Sequence, residues 1–299
     1  MAENDPRWPV YQRYEFIEWR VFWTGRVNRK DLEDQFDIST PQASLVLRDY
    51  LEVAANNIEY NPSDKAYIAT RDFRPVFLKL SPERYLLQLQ ALETHAIRKR
   101  DTFFGKVPPI DAVPTIARGP EAYTLRPLVR AIETRSSIGI YYQSLTRTGM
   151  RYICPHALVT DGFRWHCRAL DTERREFRDY VLGRILSINS PQPSNADPAD
   201  DVEWHTHIKL RLTAHPSLDP RQQAAVAHDY RMEDGELTVE MRLPVAFYFI
   251  KRYNLDLQDE IVPERLQLCL KNLDEFNRES EAAKQRSKVL VAARMKASE

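Results

Sequence analysis

The chain has 299 residues, 43% of them hydrophobic and 29% charged, with 43 basic and 43 acidic side chains and a formal net charge of zero. That length leaves room for two or three domains of ordinary globular composition, and the charge balance gives no whole-molecule sign of a nucleic-acid binder. No apolar run is long enough for a membrane span, the polar start MAENDPRWPVYQR does not read as a secretory leader, and the scattered Cys154, Cys167 and Cys269 suit neither a disulfide framework nor a zinc site, so a reduced, cytoplasmic protein is expected.

Residues 9–24 place Tyr14, Ile17 and Val21 at helical spacing, and Gly25 ends that helix. Asn28 with Asp31 three residues on reads as an N-cap and its box partner, with Leu32 and Phe36 carrying the apolar face onward. After the turn Asp37–Ser39, Thr40 is read as the cap of a further helix with Pro41 at its first position, and Leu45, Leu47 or Val46, Tyr50 and Leu51 as its buried side. Two short helices joined by a tight turn are the helix-turn-helix pattern, whose second helix reads DNA. The alternation of Ile58 and Tyr60, then Tyr67 and Ile68, around NPSD predicts a hairpin, the wing. A helix capped by Ser81 follows, then a connector over 105–120 that holds four of the 19 prolines.

A short helix over 125–136 leads into the strands IGIYYQS, MRYICPHALVT, FRWHCRAL and FRDYVLGRILSI, whose close spacing suggests a small, strongly bent sheet or barrel. PQPSNADPADD reads as a second linker, proline-rich and acidic, in which nothing fixes the paired carboxylates Asp200 and Asp201. The remainder reads as a strand, a helix, a hairpin turning at Asp234–Gly235, a helix, a strand and a long charged helix over 272–296, which suggests a small α+β domain.

Local charge is more telling than net charge. No lysine lies between Lys106 and Lys209, yet twelve arginines run from Arg118 to Arg184. Arginine grips phosphate or carboxylate through a planar fork; a codon bias toward arginine would leave the same trace, but the flanking segments use both residues. In GFRWHCRAL, alternation sets Phe163, Trp165, Cys167 and Ala169 on one face, Trp165 and Cys167 as core, and Arg164, His166 and Arg168 on the other.

The layout, with GRVNRKDLEDQFDISTPQASLVLRDY, the wing NNIEYNPSDKAY, and IGIYYQS, Pro155–His156, RWHCRAL and FRDYVLGRI in order, resembles the WYL-domain transcription regulators, and within them the CapW/BrxR-type repressors of anti-phage CBASS and BREX islands. The namesake Trp-Tyr-Leu stands here as Trp165-His166-Cys167. The resemblance implies an α+β multidomain chain: a winged helix-turn-helix with its linker helix (1–104), an Sm/SH3-like β-barrel WYL domain that senses a ligand (119–190), and a C-terminal α+β dimerisation domain (203–299). It also implies a homodimer that represses a defence operon and is released by an anionic nucleotide or single-stranded nucleic acid.

Ser39, Thr40, Gln42, Ala43 and Ser44, at the start of the second helix, are the candidates for base or backbone contact, against a reading in which Ser39 and Thr40 only cap. Arg48 either meets phosphate or pairs with Glu52, and Lys65, with Asn61 and Ser63, either reaches DNA from the wing or sits in an ordinary polar turn. Residues 1–105 carry 15 basic and 16 acidic side chains, a mark against tight non-specific binding. The candidate ligand set is Tyr142, Ser144, His156, Arg164, His166, Arg168, Arg178 and Arg184, an inventory suited to phosphate oxygens and a stacked base. The competing reading is a solvated sheet face paired with Asp161, Glu173, Glu176 and Asp179.

No catalytic motif is present, no cofactor is called for, and His166, Cys167 and His156 make a poor metal set because neighbours on a strand face opposite ways. A dimer would read an inverted repeat in double-stranded operator DNA. The alternatives are an activator of the same build, or a single-strand nucleic-acid binding module without an operator.

Overall fold

The computed structural model describes residues 8–114, 116, 118–258 and 260–297. It divides into two compact units, residues 1–114 and 115–299.

In the first unit, α1 (Trp8–Thr24), α2 (Arg29–Phe36) and α3 (Thr40–Val53) pack beside a three-stranded sheet of β1 (Arg26–Val27), β2 (Ile58–Asn61) and β3 (Ala66–Ala69), ordered β1-β3-β2. The Asn28 box forms as read: Asn28 accepts from the Asp31 N–H at 3.0 Å and Asp31 from the Asn28 N–H at 2.8 Å. The wing pairs Tyr60 with Tyr67 across β2 and β3. Ile17, Val27, Leu32, Leu47 and Tyr50 fill the core, while Leu45, expected inside, is 45% exposed. Glu18 is fully buried on α1 and accepts four hydrogen bonds, from the Tyr50 hydroxyl (3.0 Å) and the N–H groups of Val76 (2.9 Å), Phe77 (2.8 Å) and Leu78 (2.6 Å). Those bonds fasten the chain after the wing to α1 and α3. Helix α4 (Pro82–Glu93) begins at the Ser81 cap, whose hydroxyl accepts from the Arg84 N–H.

The second unit opens with α5 (Ala122–Glu133), whose Leu128 and Ala131 pack against an antiparallel sheet. Its strands β4 (Ile138–Gln143), β5 (Thr148–Thr160), β6 (Trp165–Asp171), β7 (Glu176–Val181) and β8 (Ile185–Ile188) stand in the order β7-β6-β5-β4-β8. β7 and β8 are opposite edges, yet only Leu182–Arg184 lie between them. A flat sheet would hold them roughly 19 Å apart at ordinary strand spacing, and four residue steps reach about 14 Å at most, so the sheet must roll. The Tyr142 hydroxyl on β4 accordingly accepts from the Val181 N–H on β7 at 3.2 Å. Among the described residues no ladder joins β7 to β8, so the expected barrel is a rolled, unlaced sheet here. Gly183 sits where a Cβ would lie 2.6 Å from the Arg118 carbonyl oxygen, so the middle position of the turn between the edges has no room for a side chain.

After a short helix α6 (Val202–His205), the chain forms β9 (His207–Ala214), α7 (Pro220–Asp229), β10 (Glu236–Arg242), α8 (Leu243–Arg252), α9 (Pro263–Leu266), β11 (Leu268–Leu270) and α10 (Leu273–Ala297). The sheet order is β10-β9-β11. The hairpin expected around Asp234–Gly235 is reduced to one bridge, Glu233 to Glu236, because β10 pairs along its whole length with β9 instead. Leu210, Leu212, Leu243, Ala246, Leu268 and Phe276 form this core. No helix among the described residues is long and apolar enough to cross a membrane.

Candidate functional site

The first candidate surface is the start of α3. Ser39, rather than Thr40, is the N-cap, and Gln42 folds back on it, its side-chain oxygen accepting from the Ser39 N–H at 3.0 Å and the Ser39 hydroxyl at 3.1 Å. Thr40 and Gln42 are exposed, and Ser44 donates to the Thr40 carbonyl at 2.9 Å. The Gln42 amide nitrogen therefore faces outward while its oxygen is committed to the cap, so a two-point contact with adenine requires the cap bond to open. Ala43 is fully buried, a core methyl rather than a base contact: it lies a helical step inward of Gln42. Arg48 pairs with Asp49 at 3.1 Å and Glu52 at 4.0 Å and stays exposed. Lys65 closes the wing turn at φ 50°, in the left-handed region, with Asn61 bonding across the same turn.

The second surface is the polar face of β6, and it is covered. His166 and Arg168 are both buried, whereas Phe163 and Trp165, at the outer end of the strand, are 62% and 49% exposed. Cys167 and Ala169 are core as expected; Trp165 is not, because the strand runs past the core into the β5–β6 turn before it reaches residue 165. Arg168 is gripped by three carboxylates, two at α6 and one on β7. Its Nε and Nη2 donate to Asp201 at 2.8 and 3.0 Å, Nη2 also to Glu203 at 2.7 Å, and Nη1 to Asp179 on β7 at 3.4 Å. Asp201 comes from the segment read as an unfixed acidic linker and Glu203 from just beyond it; both are buried, and Asp200 is tied to Arg294 of α10 at 2.6 Å. That reading is corrected: the acidic run is a structural plug on the β6 arginine.

His156 reaches the same carboxylate. The pairing of β5 with β6 slips between Pro155 and Ala157, leaving His156 as the extra residue of a β-bulge. The bulge turns its ring onto Asp201, 2.9 Å from Nε2, between the rings of Phe177 and Trp204. Burial works against the Asp201 carboxylate, but the hydrogen bonds of His156 and Arg168 outweigh it and hold its pKa down at about 2. For Arg168 the opposition is reversed in sign: burial disfavours the guanidinium, and the Asp201 bonds with the charges of Asp179, Asp201 and Glu203 hold it above its ordinary value. His166 stacks on Tyr248 of α8 at 4.5 Å and is pushed below the usual imidazole range, chiefly by burial. The Tyr248 hydroxyl donates to Asp179 at 2.9 Å.

Beside this network lies a cleft of about 450 Å³ between β7, α8 and α10. Arg168 and Arg178 are the members of the candidate ligand set that line it. Arg178 is at the rim, paired with Glu176. The remaining candidates lie elsewhere: Tyr142 points into the rolled sheet, Ser144 is tied up in the β4–β5 turn with Arg147, Arg164 pairs with Asp161 at 3.3 Å, and Arg184 sits in the β7–β8 turn. The pairing expected of a solvated face is thus present at Asp161, Glu176 and Asp179, but the strongest partners of Arg168 are remote in sequence. Missed from sequence were Phe247, Lys284 and Lys288, which complete the cleft from the C-terminal side. Their trace was available as Ser280, Lys284, Ser287 and Lys288, one helical face with small residues set among lysines.

A winged helix, then a rolled arginine-bearing sheet, then an α+β region define a WYL-domain regulator of transcription. Residues 9–91 match the family model of the BrxR transcriptional regulator winged helix-turn-helix domain, 123–190 that of the WYL domain, and 207–276 that of the BrxR transcriptional regulator C-terminal dimerization domain. Among curated proteins, the DNA-binding transcriptional repressor CapW of Escherichia coli (strain KTE188) is 38% identical over 273 residues, 90% of this chain and 91% of that protein. CapW of Pseudomonas aeruginosa is 39% identical with the same coverage, and CapW of Stenotrophomonas maltophilia 35% identical over 275 residues, 90% and 91% of the two chains. The chain belongs to the BrxR/CapW-type family of WYL-domain transcriptional repressors, which is a non-enzymatic family.

Proposed function

We propose that this protein is a homodimeric repressor of a bacterial anti-phage defence operon, and that an anionic nucleotide or nucleic-acid ligand, received on the WYL region, releases it from an inverted-repeat operator. The reading rests on the family, and the observation that carries it is the Arg168 network. The strand that bears the namesake tryptophan is joined by buried ion pairs to Asp201 and Glu203 at α6 and by the stack of His166 on Tyr248 to α8. A ligand that disturbs this strand therefore disturbs the region matching the dimerization domain. Such a ligand acts as a switch only by binding the DNA-incompetent state better, by about 10⁴-fold for a nearly complete shift. In the winged-helix unit, Thr40, Gln42 and Arg48 are exposed on α3, and Lys65 stands at the wing tip, the places from which a winged helix meets base edges and phosphates.

A gel shift of the full-length protein on its own upstream DNA, with and without short single-stranded oligonucleotides, tests the reading. A shifted duplex released by oligonucleotide is the expected result. A shifted duplex indifferent to oligonucleotides and mononucleotides would overturn the effector half, and no duplex binding at low salt would overturn the repressor half.

A further inference from the structure

We infer that the ligand cleft is built jointly by the WYL sheet and the C-terminal helices, with Lys284 and Lys288 of α10 and Arg178 of β7 as its phosphate contacts, Phe247 of α8 as its base platform, and Glu176 as a built-in competitor for those cations. The inference rests on the effector reading above and deepens it. It transfers the phosphate-binding role from Arg168 to side chains outside the arginine-rich segment.

Arg168 is the obvious phosphate ligand by residue type, yet its environment excludes it. Three carboxylates already satisfy its fork, at 2.7 to 3.4 Å, and its side chain is only 5% exposed. A phosphate reaching it would leave Asp201 and Glu203 buried without a cation, at a cost of several kcal/mol each. The rim cations are differently placed. Arg178, Lys284 and Lys288 are each about half exposed in the cleft. Lys284 and Lys288 are one helical turn apart and so present their ammonium groups on the same face, their attachment points about 6 Å apart. Ser280 and Ser287, on that face, are buried and already bonded, Ser280 donating to Glu203 at 3.1 Å and Ser287 accepting from the Val202 N–H at 2.8 Å. These short side chains let α10 approach the sheet while the lysines stand over the gap.

The acids of the cleft do not cancel this charge equally. Asp179 and Glu203 are consumed at the floor by Arg168, Tyr248 and Ser280. Lys284 lies 3.9 Å from Glu203, a loose contact that a phosphate would outcompete. Glu176 alone serves the rim: one of its oxygens holds Arg178 and the other lies 3.6 Å from Lys288. It occupies, as a single carboxylate, the position between two cations that a phosphate would take with more charge and more acceptor oxygens. The α8 wall carries Phe247, 47% exposed, with Phe177 and Tyr248 also lining the cleft. A volume of about 450 Å³ lined by cations from β7 and α10 and an open aromatic from α8 suits a phosphate-bearing nucleobase.

The test is fluorescence anisotropy of the full-length protein with a short 5′-phosphorylated, 3′-labelled oligothymidine across a salt series, with a mononucleotide and inorganic phosphate as competitors. The double variant Lys284→Ala/Lys288→Ala should bind the probe about tenfold or more weakly, with the slope of log K against log salt reduced by about 1.4. Phe247→Ala should lose about tenfold or more by removing one stacked base, and Glu176→Gln should bind more tightly, by about three- to tenfold. A gain from Glu176→Gln cannot come from misfolding. Competition by the mononucleotide at concentrations where inorganic phosphate fails supports base plus phosphate recognition; equal competition by phosphate overturns the base platform. If the wild-type protein binds the probe and the lysine variant matches it in affinity and slope, the joint cleft is wrong while the effector reading stands. If the wild type binds none of the three, the effector reading itself falls and this inference with it.

Discussion

Glu18 and Asp201 are both fully buried carboxylates, and each accepts four hydrogen bonds, yet they are held by opposite kinds of donor. Glu18, in the winged-helix unit, is met by a phenol and three backbone N–H groups, all neutral and three of them fixed in the main chain. Asp201, in the second unit, is met by two guanidinium N–H groups, one imidazole and the Trp204 N–H that it caps. No rival ligand can remove a backbone amide from Glu18. A change in the charge around Asp201, by contrast, alters the contact between the WYL sheet and the C-terminal helices. The first carboxylate is a clamp for the DNA-reading unit, held by neutral donors, and the second is a joint held chiefly by a guanidinium.

The largest effect should come from breaking the joint. Arg168→Met leaves Asp179, Asp201 and Glu203 facing one another without their shared cation, at a cost of about 4 kcal/mol. Urea unfolding should record that loss, and hydrogen exchange should speed up across residues 200–205. Adding Asp201→Asn to Arg168→Met should restore part of the stability, since the two residues are directly coupled. Purely additive losses would mean that the network is not a unit. Next in size, Glu18→Gln keeps one acceptor oxygen but sets an amide N–H₂ against backbone N–H groups, costing about 3 kcal/mol. Exchange protection should then fall at Val76, Phe77 and Leu78, while residues 200–205 keep theirs. If both segments loosened together, the contrast between clamp and joint would be lost.

Much of the winged helix was legible because its signals are local. The Asn28–Asp31 box, Pro41 at the first turn of α3 and the NPSD turn each act within a few residues, and each is where it was read. The first three strands of the rolled sheet were legible for the same reason, but FRDYVLGRILSI, read as one strand, is broken at Leu182–Arg184 into β7 and β8. The Arg168 network was not legible. Alternation placed Arg168 and His166 correctly on one face, but whether that face meets water, ligand or protein depends on Asp201 and Glu203, 33 and 35 residues away. Locally DPADD has every mark of a solvated linker, and only the arrival of α6 and α10 over the sheet makes it core. Trp165 failed for a related reason: a two-face reading assumes that the whole strand lies over the core, and β6 enters the core only after its first residue. His156 was singled out beside Pro155, but alternation could not say where it would aim, because the bulge that aims it breaks the alternation.

The smallest predicted effect is the sharpest test of the contrast, because it uses no mutation. The Asp201 carboxylate has an ordinary value of 3.8 and is held at about 2 in the folded chain. A depressed acid contributes stability that is present above its unfolded value and lost as pH falls toward its folded one, so the window is roughly pH 4 to pH 2. The contribution there is about 2 kcal/mol. His166 acts in the same direction from higher pH: being held below the usual imidazole range, it resists protonation in the folded state, so acid favours the unfolded chain from about pH 6.5 downward. The second unit should therefore lose exchange protection across residues 200–205 on acidification, read against the exchange of Val76–Leu78 in the winged-helix unit. Loss of protection at both segments at one common pH would show that acid acts on the chain as a whole, and Asp201 would then be no more than one buried acid among others.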